Sequence, residues 1–227
     1  MNELALFAGA GGGLLASHLL GFRTVCAVEH NAHAQRVLVQ RQNDKLLNPF
    51  PIWDDVRTFD GRPWKGVVDL VSGGFPCQAF STAAAGRNNA ENLWPEMRRI
   101  VADVAPRLVF AENVAAEAIE MAAQDLRAMG YKVKAVPLSA ADVGADHIRE
   151  RYWLLAYADD KSELLRQFNA KMASCPRVHS RVWSANPGSP RMADGMANRM
   201  DRYQASGNGQ VAIVAALAFI LLAEQFV

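Results

Sequence analysis

Glu3-Leu4-Ala5-Leu6-Phe7-Ala8-Gly9-Ala10-Gly11-Gly12-Gly13 is the stretch that decides the fold. A short apolar run breaks into a cluster of glycines, which reads as a buried strand over 3–8 feeding a tight turn. Leu14 to Leu20 follows with helical character and is stopped by Gly21. Thr24 to Val28 is a second strand ending at Glu29, and Ala32 to Gln42 a second helix. Strand, glycine turn, helix and strand in this order make a βαβ unit, whose strands run parallel.

The alternation continues outward from that unit. Gly66 to Val71 reads as a strand running into Ser72-Gly73-Gly74, Leu93 to Val104 as a helix, Leu108 to Ala111 as a strand, and Ala115 to Met129 as a helix stopped by Gly130. Tyr131 to Pro137 and Tyr152 to Tyr157 are strands with no helical pattern between them, so they are expected to form an antiparallel pair at one edge. The fold class is therefore α/β and Rossmann-like, a mostly parallel sheet covered on both faces. From 158 to 206 the apolar periodicity fails, and Pro176, Pro187, Gly188 and Pro190 interrupt the chain. Val211 to Ala223 is uncharged over 13 residues. A bilayer span needs about 20, so this stretch reads as a buried C-terminal helix and no membrane partner is expected.

The chain has 227 residues and a formal net charge of +1, so no global basic signature demands a nucleic acid. The charge is uneven: residues 158 to 203 hold eight Lys/Arg against five acids, and a phosphate-contacting surface could lie there. Cys26, Cys77 and Cys175 are too few and too scattered for a disulfide framework or a zinc site, so no metal is expected and a reducing, cytoplasmic setting is. The N-terminus lacks a basic region followed by an apolar run, so no secretory signal is visible.

In an open parallel sheet, ligands bind beyond the carboxyl ends of the strands. Glu29 ends its strand 20 residues after Gly9, a spacing at which a carboxylate can take two ribose hydroxyls. Position 14 is Leu14, so the glycines miss the Gly-x-Gly-x-x-Gly pattern, and no Gly-Lys-Ser/Thr follows. Both facts favour a nucleoside cofactor without a pyrophosphate. Asp54-Asp55-Val56, after a short apolar stretch, would lie near the next strand end, where a carboxylate can accept an adenine amino group or simply cap a turn.

The most specific signal is Gly73-Gly74-Phe75-Pro76-Cys77-Gln78-Ala79-Phe80-Ser81. It follows a strand on the ligand-binding edge, and two glycines and a proline set an unusual path that presents one cysteine. Such a thiol is a nucleophile once its pKa is lowered.

Pro76-Cys77-Gln78 after a Gly-Gly strand end resembles the catalytic loop of the cytosine-C5 DNA methyltransferases. Four further segments resemble that family's motifs in order: Phe7-Ala8-Gly9-Ala10-Gly11-Gly12, Glu112-Asn113-Val114, Arg149-Glu150-Arg151 and Gly207-Asn208-Gly209-Gln210-Val211. The resemblance implies an S-adenosylmethionine-dependent methyltransferase fold and double-stranded DNA as the partner. It implies that Cys77 adds to C6 of cytosine, that Glu112 holds the base and protonates N3, and that Arg149 and Arg151 contact base and backbone, Arg151 also orienting Glu112. By the same resemblance, Phe7, Gly9, Gly11, Gly12, Glu29, Asp55, Val56, Pro76, Asn208 and Val211 line the cofactor. Asn208 could equally cap the last helix. Gln78, Ser81 and Arg87 belong to a polar loop over 78–92 that could close over a flipped base.

The sequence departs from the family at three places. His147 stands where the family usually has Gln, and Ala212 where Pro is usual. Only about 50 residues, 157 to 206, fill the place of a long target-recognition domain. The expected organisation is a catalytic and cofactor-binding domain over 1–157, a short irregular DNA-recognition segment over 158–206, and a C-terminal helix over 207–227 that packs back. Arg177, Arg181, Arg191 and Arg199 are the candidates for base contacts, since Arg pairs well with guanine edges. So short a segment implies a short target, weak specificity, or a protein partner that completes the clamp. Compact enzymes of this kind resemble those carried by bacteriophages. Competing readings are an RNA (tRNA) cytosine-C5 methyltransferase, a non-catalytic DNA-binding subunit, and an NAD-dependent oxidoreductase, the last of which leaves the Cys77 loop unexplained.

Overall fold

The computed structural model describes residues 1–76, 92–158, 163–174 and 209–226. Its centre is a seven-stranded sheet of order β3-β2-β1-β4-β5-β7-β6. In chain order the elements are β1 (Asn2–Leu6), α1 (Gly12–Leu19), β2 (Arg23–Val28), α2 (Ala32–Asn43), β3 (Ile52–Trp53), β4 (Leu70–Gly74), α3 (Trp94–Val104), β5 (Leu108–Asn113), α4 (Ala116–Ala128), β6 (Lys132–Ser139), β7 (Glu150–Tyr157), α5 (Glu163–Ser174) and α6 (Ala212–Glu224). Strands β1 to β5 pair in parallel, and β7 runs antiparallel to both β5 and β6. The expected antiparallel pair is present at the β6 edge.

The odd and even positions of the central strands face two different cores. Leu4, Leu6, Val71, Val109 and Ala111 pack with Trp94, Met97 and Ile100 of α3 and with Ala118, Ile119 and Ala122 of α4. The opposite face carries Leu70, Phe110, Trp153 and Leu155 and is covered by α1, α5 and α6, with Phe22, Phe168 and Phe219 interlocked. Helix α6 is apolar nearly all round, as expected of a buried element. Among the described residues no helix is long and apolar enough to cross a membrane.

One charged side chain sits in this second core. Glu3 of β1 is 1% exposed, and three hydroxyls donate to it: Ser17 Oγ to Oε1 at 2.6 Å, Ser72 Oγ to Oε1 at 2.6 Å, and Thr24 Oγ1 to Oε2 at 2.8 Å. Burial raises its pKa above the ordinary carboxylate value, and the three hydroxyls pull it partly back.

Four sequence expectations need correction. The strand expected over 66–71 begins at Leu70, because Gly66 has φ 78° and the amides of Val67 and Val68 bond to Trp64 O in a turn. Gly73 and Gly74 are therefore strand residues rather than the loop after it. The last strand begins at Glu150, so Arg151 lies inside β7 rather than ahead of it. The irregular stretch expected from 158 contains α5, which turns Leu165 and Phe168 into the core against α6. Finally, the N-cap of α6 is Val211, with no side-chain cap.

Candidate active site

The strand register sets the site. Leu6 of β1 lies opposite Gly73 of β4, and Gly74 opposite Glu112 of β5, so three adjacent strands end together. Glu112 is 7% exposed and its two oxygens have different partners. Arg151 Nε pairs with Oε1 at 3.0 Å, and Gln210 Nε2 donates to Oε2 at 3.4 Å. Burial raises the pKa of this carboxyl above its ordinary value, while Arg151, Gln210 and Arg149 favour the ionised form. The space it occupies exists because residue 74 is glycine: a Cβ there would lie 2.6 Å from Glu112 Oε2.

Arg149 Nη2 donates to Gly209 O at 2.7 Å, tying the start of β7 to the segment before α6. Partial burial lowers its pKa. Asn113 follows Glu112 and does structural work: its Nδ2 donates to Phe75 O at 2.8 Å, and its Oδ1 accepts from Ala115 N at 3.1 Å. Phe75 is buried against Trp94, and Pro76 O accepts from Leu93 N at 3.1 Å. The backbone entering position 77 is thus fixed from two sides.

The glycine turn lies beside this carboxyl. Phe7, Gly9 and Gly11 have φ of 53°, 53° and 90°, the left-handed region that favours glycine, so Phe7 is the strained member. Glu29 holds the turn: its Oε2 accepts from Gly9 N at 2.7 Å and its Oε1 from Asn31 N at 2.7 Å. Each oxygen keeps a lone pair for a further donor. Gly12 and Gly13 are glycines because Gln210 packs on both, its carbonyl against Gly12 and its side-chain oxygen against Gly13. A cavity of about 50 Å³ runs from this turn past Gly74 and Glu112 to Glu3.

Other expected site residues are less directly arranged. Asp55 Oδ1 accepts from Arg57 N at 2.9 Å and pairs with Arg57 Nη1 at 3.2 Å, and the backbone amide of Arg57 holds its carboxyl below the usual range. This is the turn-aspartate arrangement. Val56 is buried, and its carbonyl accepts from Arg99 Nη2 at 2.8 Å. Val211 stands at the start of α6, next to Gln210. Cys77, Gln78, Ser81, Arg87, Arg177, Arg181, Arg191, Arg199 and Asn208 lie outside the described residues. Sequence reasoning gave no role to Gln210 and no separate role to Asn113. The available signal for Gln210 was a lone polar side chain between the Gly-Asn segment and an apolar helix.

A model of the family described as C-5 cytosine-specific DNA methylase matches residues 1–208. The chain belongs to that family. Among its relatives, the type II methyltransferase M.CviJI of Paramecium bursaria Chlorella virus IL3A is 30% identical over 179 residues, 74% of this chain and 47% of that protein. M.Eco47II of Escherichia coli is 37% identical over 114 residues, 49% of this chain and 26% of its own length. A solved structure of an E. coli prophage-encoded protein bearing the name DNA modification methyltransferase superposes with a TM-score of 0.55 at 26% identity. That match covers 70% of this chain and 47% of the other. The chain therefore spans about half or less of the length of these relatives.

Proposed function

We propose that this chain transfers a methyl group from S-adenosylmethionine to C5 of cytosine in DNA, with Cys77 as nucleophile and Glu112 as its acid partner. The observation that carries the reading is the Glu112 carboxyl, buried at the end of β5, held by Arg151 and Gln210, and adjoining the glycine turn. The residues at the turn fit the cofactor: a Cβ on Gly9 would meet nothing within 4 Å, and Glu29 stands beside that open space with acceptor capacity to spare for ribose hydroxyls. When bound there, S-adenosylmethionine supplies an electrophilic methyl group.

The work of the chain follows from its own side chains. C5 of cytosine is a weak nucleophile. Addition of the Cys77 thiolate to C6 makes C5 enamine-like, while Glu112 gives a proton to N3. Burial favours the protonated carboxyl over the ionised one, and Arg151 steadies the carboxylate after transfer. Loss of the C5 proton then expels Cys77 and restores the aromatic ring. Reaching the base requires flipping it from the duplex at a cost of about a few kcal/mol. Residues 1–157 would carry this chemistry, and Arg177, Arg181, Arg191 and Arg199 would contact DNA.

The test is incubation with cofactor and duplex DNA containing 5-fluorocytosine. Fluorine cannot leave as a proton does, so a covalent protein–DNA adduct is expected, and Cys77→Ala should abolish it. A Cys77→Ala variant that still methylates refutes the mechanism. Methylation of tRNA but not of duplex DNA would move the substrate class to RNA.

A further inference from the structure

Gln210 stands between two sites that the chemistry must coordinate. Its carbonyl rests against Gly12 and its side-chain oxygen against Gly13, so closely that a Cβ at either glycine would collide with it. Its Nε2 reaches the other way, donating to Glu112 Oε2 at 3.4 Å and lying 3.1 Å from the position of a Cβ on Gly74. The preceding peptide is fixed as well, since Gly209 O accepts from Arg149 Nη2. One residue therefore touches the cofactor turn with its backbone carbonyl and side-chain oxygen, and the base-holding carboxyl with its side-chain nitrogen.

We propose that Gln210 is a positioning residue that fixes the second oxygen of Glu112 and carries occupancy of the cofactor turn to that carboxyl. This rests on the functional reading above and adds a link between its two halves. Arg151 alone, bonded through Nε to Oε1, would leave the carboxyl able to pivot about that contact. The amide closes the second side. Among the described residues, the charged groups bearing on Glu112 are Arg151 and Arg149, both brought in by the β7 segment; Glu3 of β1 stands at the other end of the same cavity, β4 contributes Ser72, Gly73 and Gly74 to its wall, and Gln210 on the α6 side is neutral. The geometry links carboxyl to turn through Gln210, so a shift of Gly12 or Gly13 on cofactor binding moves the amide as well. By linkage, protonation of Glu112 and cofactor affinity then depend on each other.

The test reads Glu112 directly. Protein labelled with ¹³Cδ-glutamate is titrated with and without S-adenosylmethionine, and the Glu112 resonance is assigned by its loss in Glu112→Gln. The wild type is expected to show a cofactor-dependent shift of that resonance. Gln210→Met, which keeps length but cannot donate, is expected to raise the titration midpoint by about one pH unit and to remove the cofactor-dependent shift. Gln210→Asn draws the amide back by one methylene and should do the same, which covers a Met variant that fails to fold. An unchanged midpoint and an unchanged cofactor response in a folded variant overturn the proposal, as does a wild-type resonance indifferent to the cofactor. The readout needs no turnover. If fluorocytosine DNA yields no adduct while Glu112 still responds to cofactor through Gln210, the reaction assigned above fails and the link stands.

Discussion

Removing the carboxylate of Glu3 isolates the worth of a buried polar cluster at the far end of the site cavity. In Glu3→Leu, the hydroxyls of Ser17, Ser72 and Thr24 lose the acceptor they now reach at 2.6, 2.6 and 2.8 Å. A buried donor left unmatched costs about 1–3 kcal/mol. The low end applies here, because the adjoining cavity of about 50 Å³ is large enough to admit water. Three donors at about 1 kcal/mol each give about 3 kcal/mol. The quadruple variant Glu3→Leu, Ser17→Ala, Thr24→Val, Ser72→Ala removes acceptor and donors together. It should therefore be about 3 kcal/mol more stable than Glu3→Leu alone. Urea denaturation at pH 8 measures both. The sign with pH follows from the raised pKa: the stability Glu3 contributes is fully present below the ordinary carboxylate pKa and is lost as pH rises through the folded value. Glu3→Gln, whose amide oxygen can serve the two serines and whose amide can donate to Thr24, should thus gain on the wild type as pH rises. A quadruple variant no more stable than the single one, or a Gln variant that loses ground with rising pH, would refute this account.

Gly74→Ala places a Cβ 2.6 Å from Glu112 Oε2, and methyl transfer should fall about a hundredfold with little change in thermal midpoint; full activity in a labelled-methyl assay would contradict the packing. Phe219→Ala empties the junction of Phe22, Phe110 and Phe168 and should cost about 3–5 kcal/mol in chemical denaturation. Glu29→Ala frees Gly9 N and Asn31 N and should weaken cofactor affinity at least about tenfold, as read by titration calorimetry, while leaving the fold intact.

What the sequence disclosed was whatever has a local signature. The alternation of strands and helices, the glycine turn and the antiparallel pair each follow from residues close together in the chain. The start of β4 was misjudged because Val67 and Val68 are apolar enough for a strand, and only the left-handed Gly66 and the bonds to Trp64 O place them in a turn. Helix α5 was missed because its apolar side, Leu165 and Phe168, is modest until Phe22 and Phe219 meet it. At the site, Glu112 and Arg151 were legible from their motifs. Gln210 was not, because its meaning lies in Gly12, Gly13 and Glu112, all far away in sequence. Glu3 was hidden for the same reason, its three hydroxyls coming from α1, β2 and β4.

Helix α6 closes the sheet face that β1 and α1 open, so residues from opposite ends of the chain complete one core. Contacts so distant in sequence slow folding, because loop closure precedes the reward. On the ribosome, the sides of Phe22 and Phe110 that meet Phe219 stay uncovered until residues beyond 211 have emerged, and apolar surface left open in this way favours association between incomplete chains.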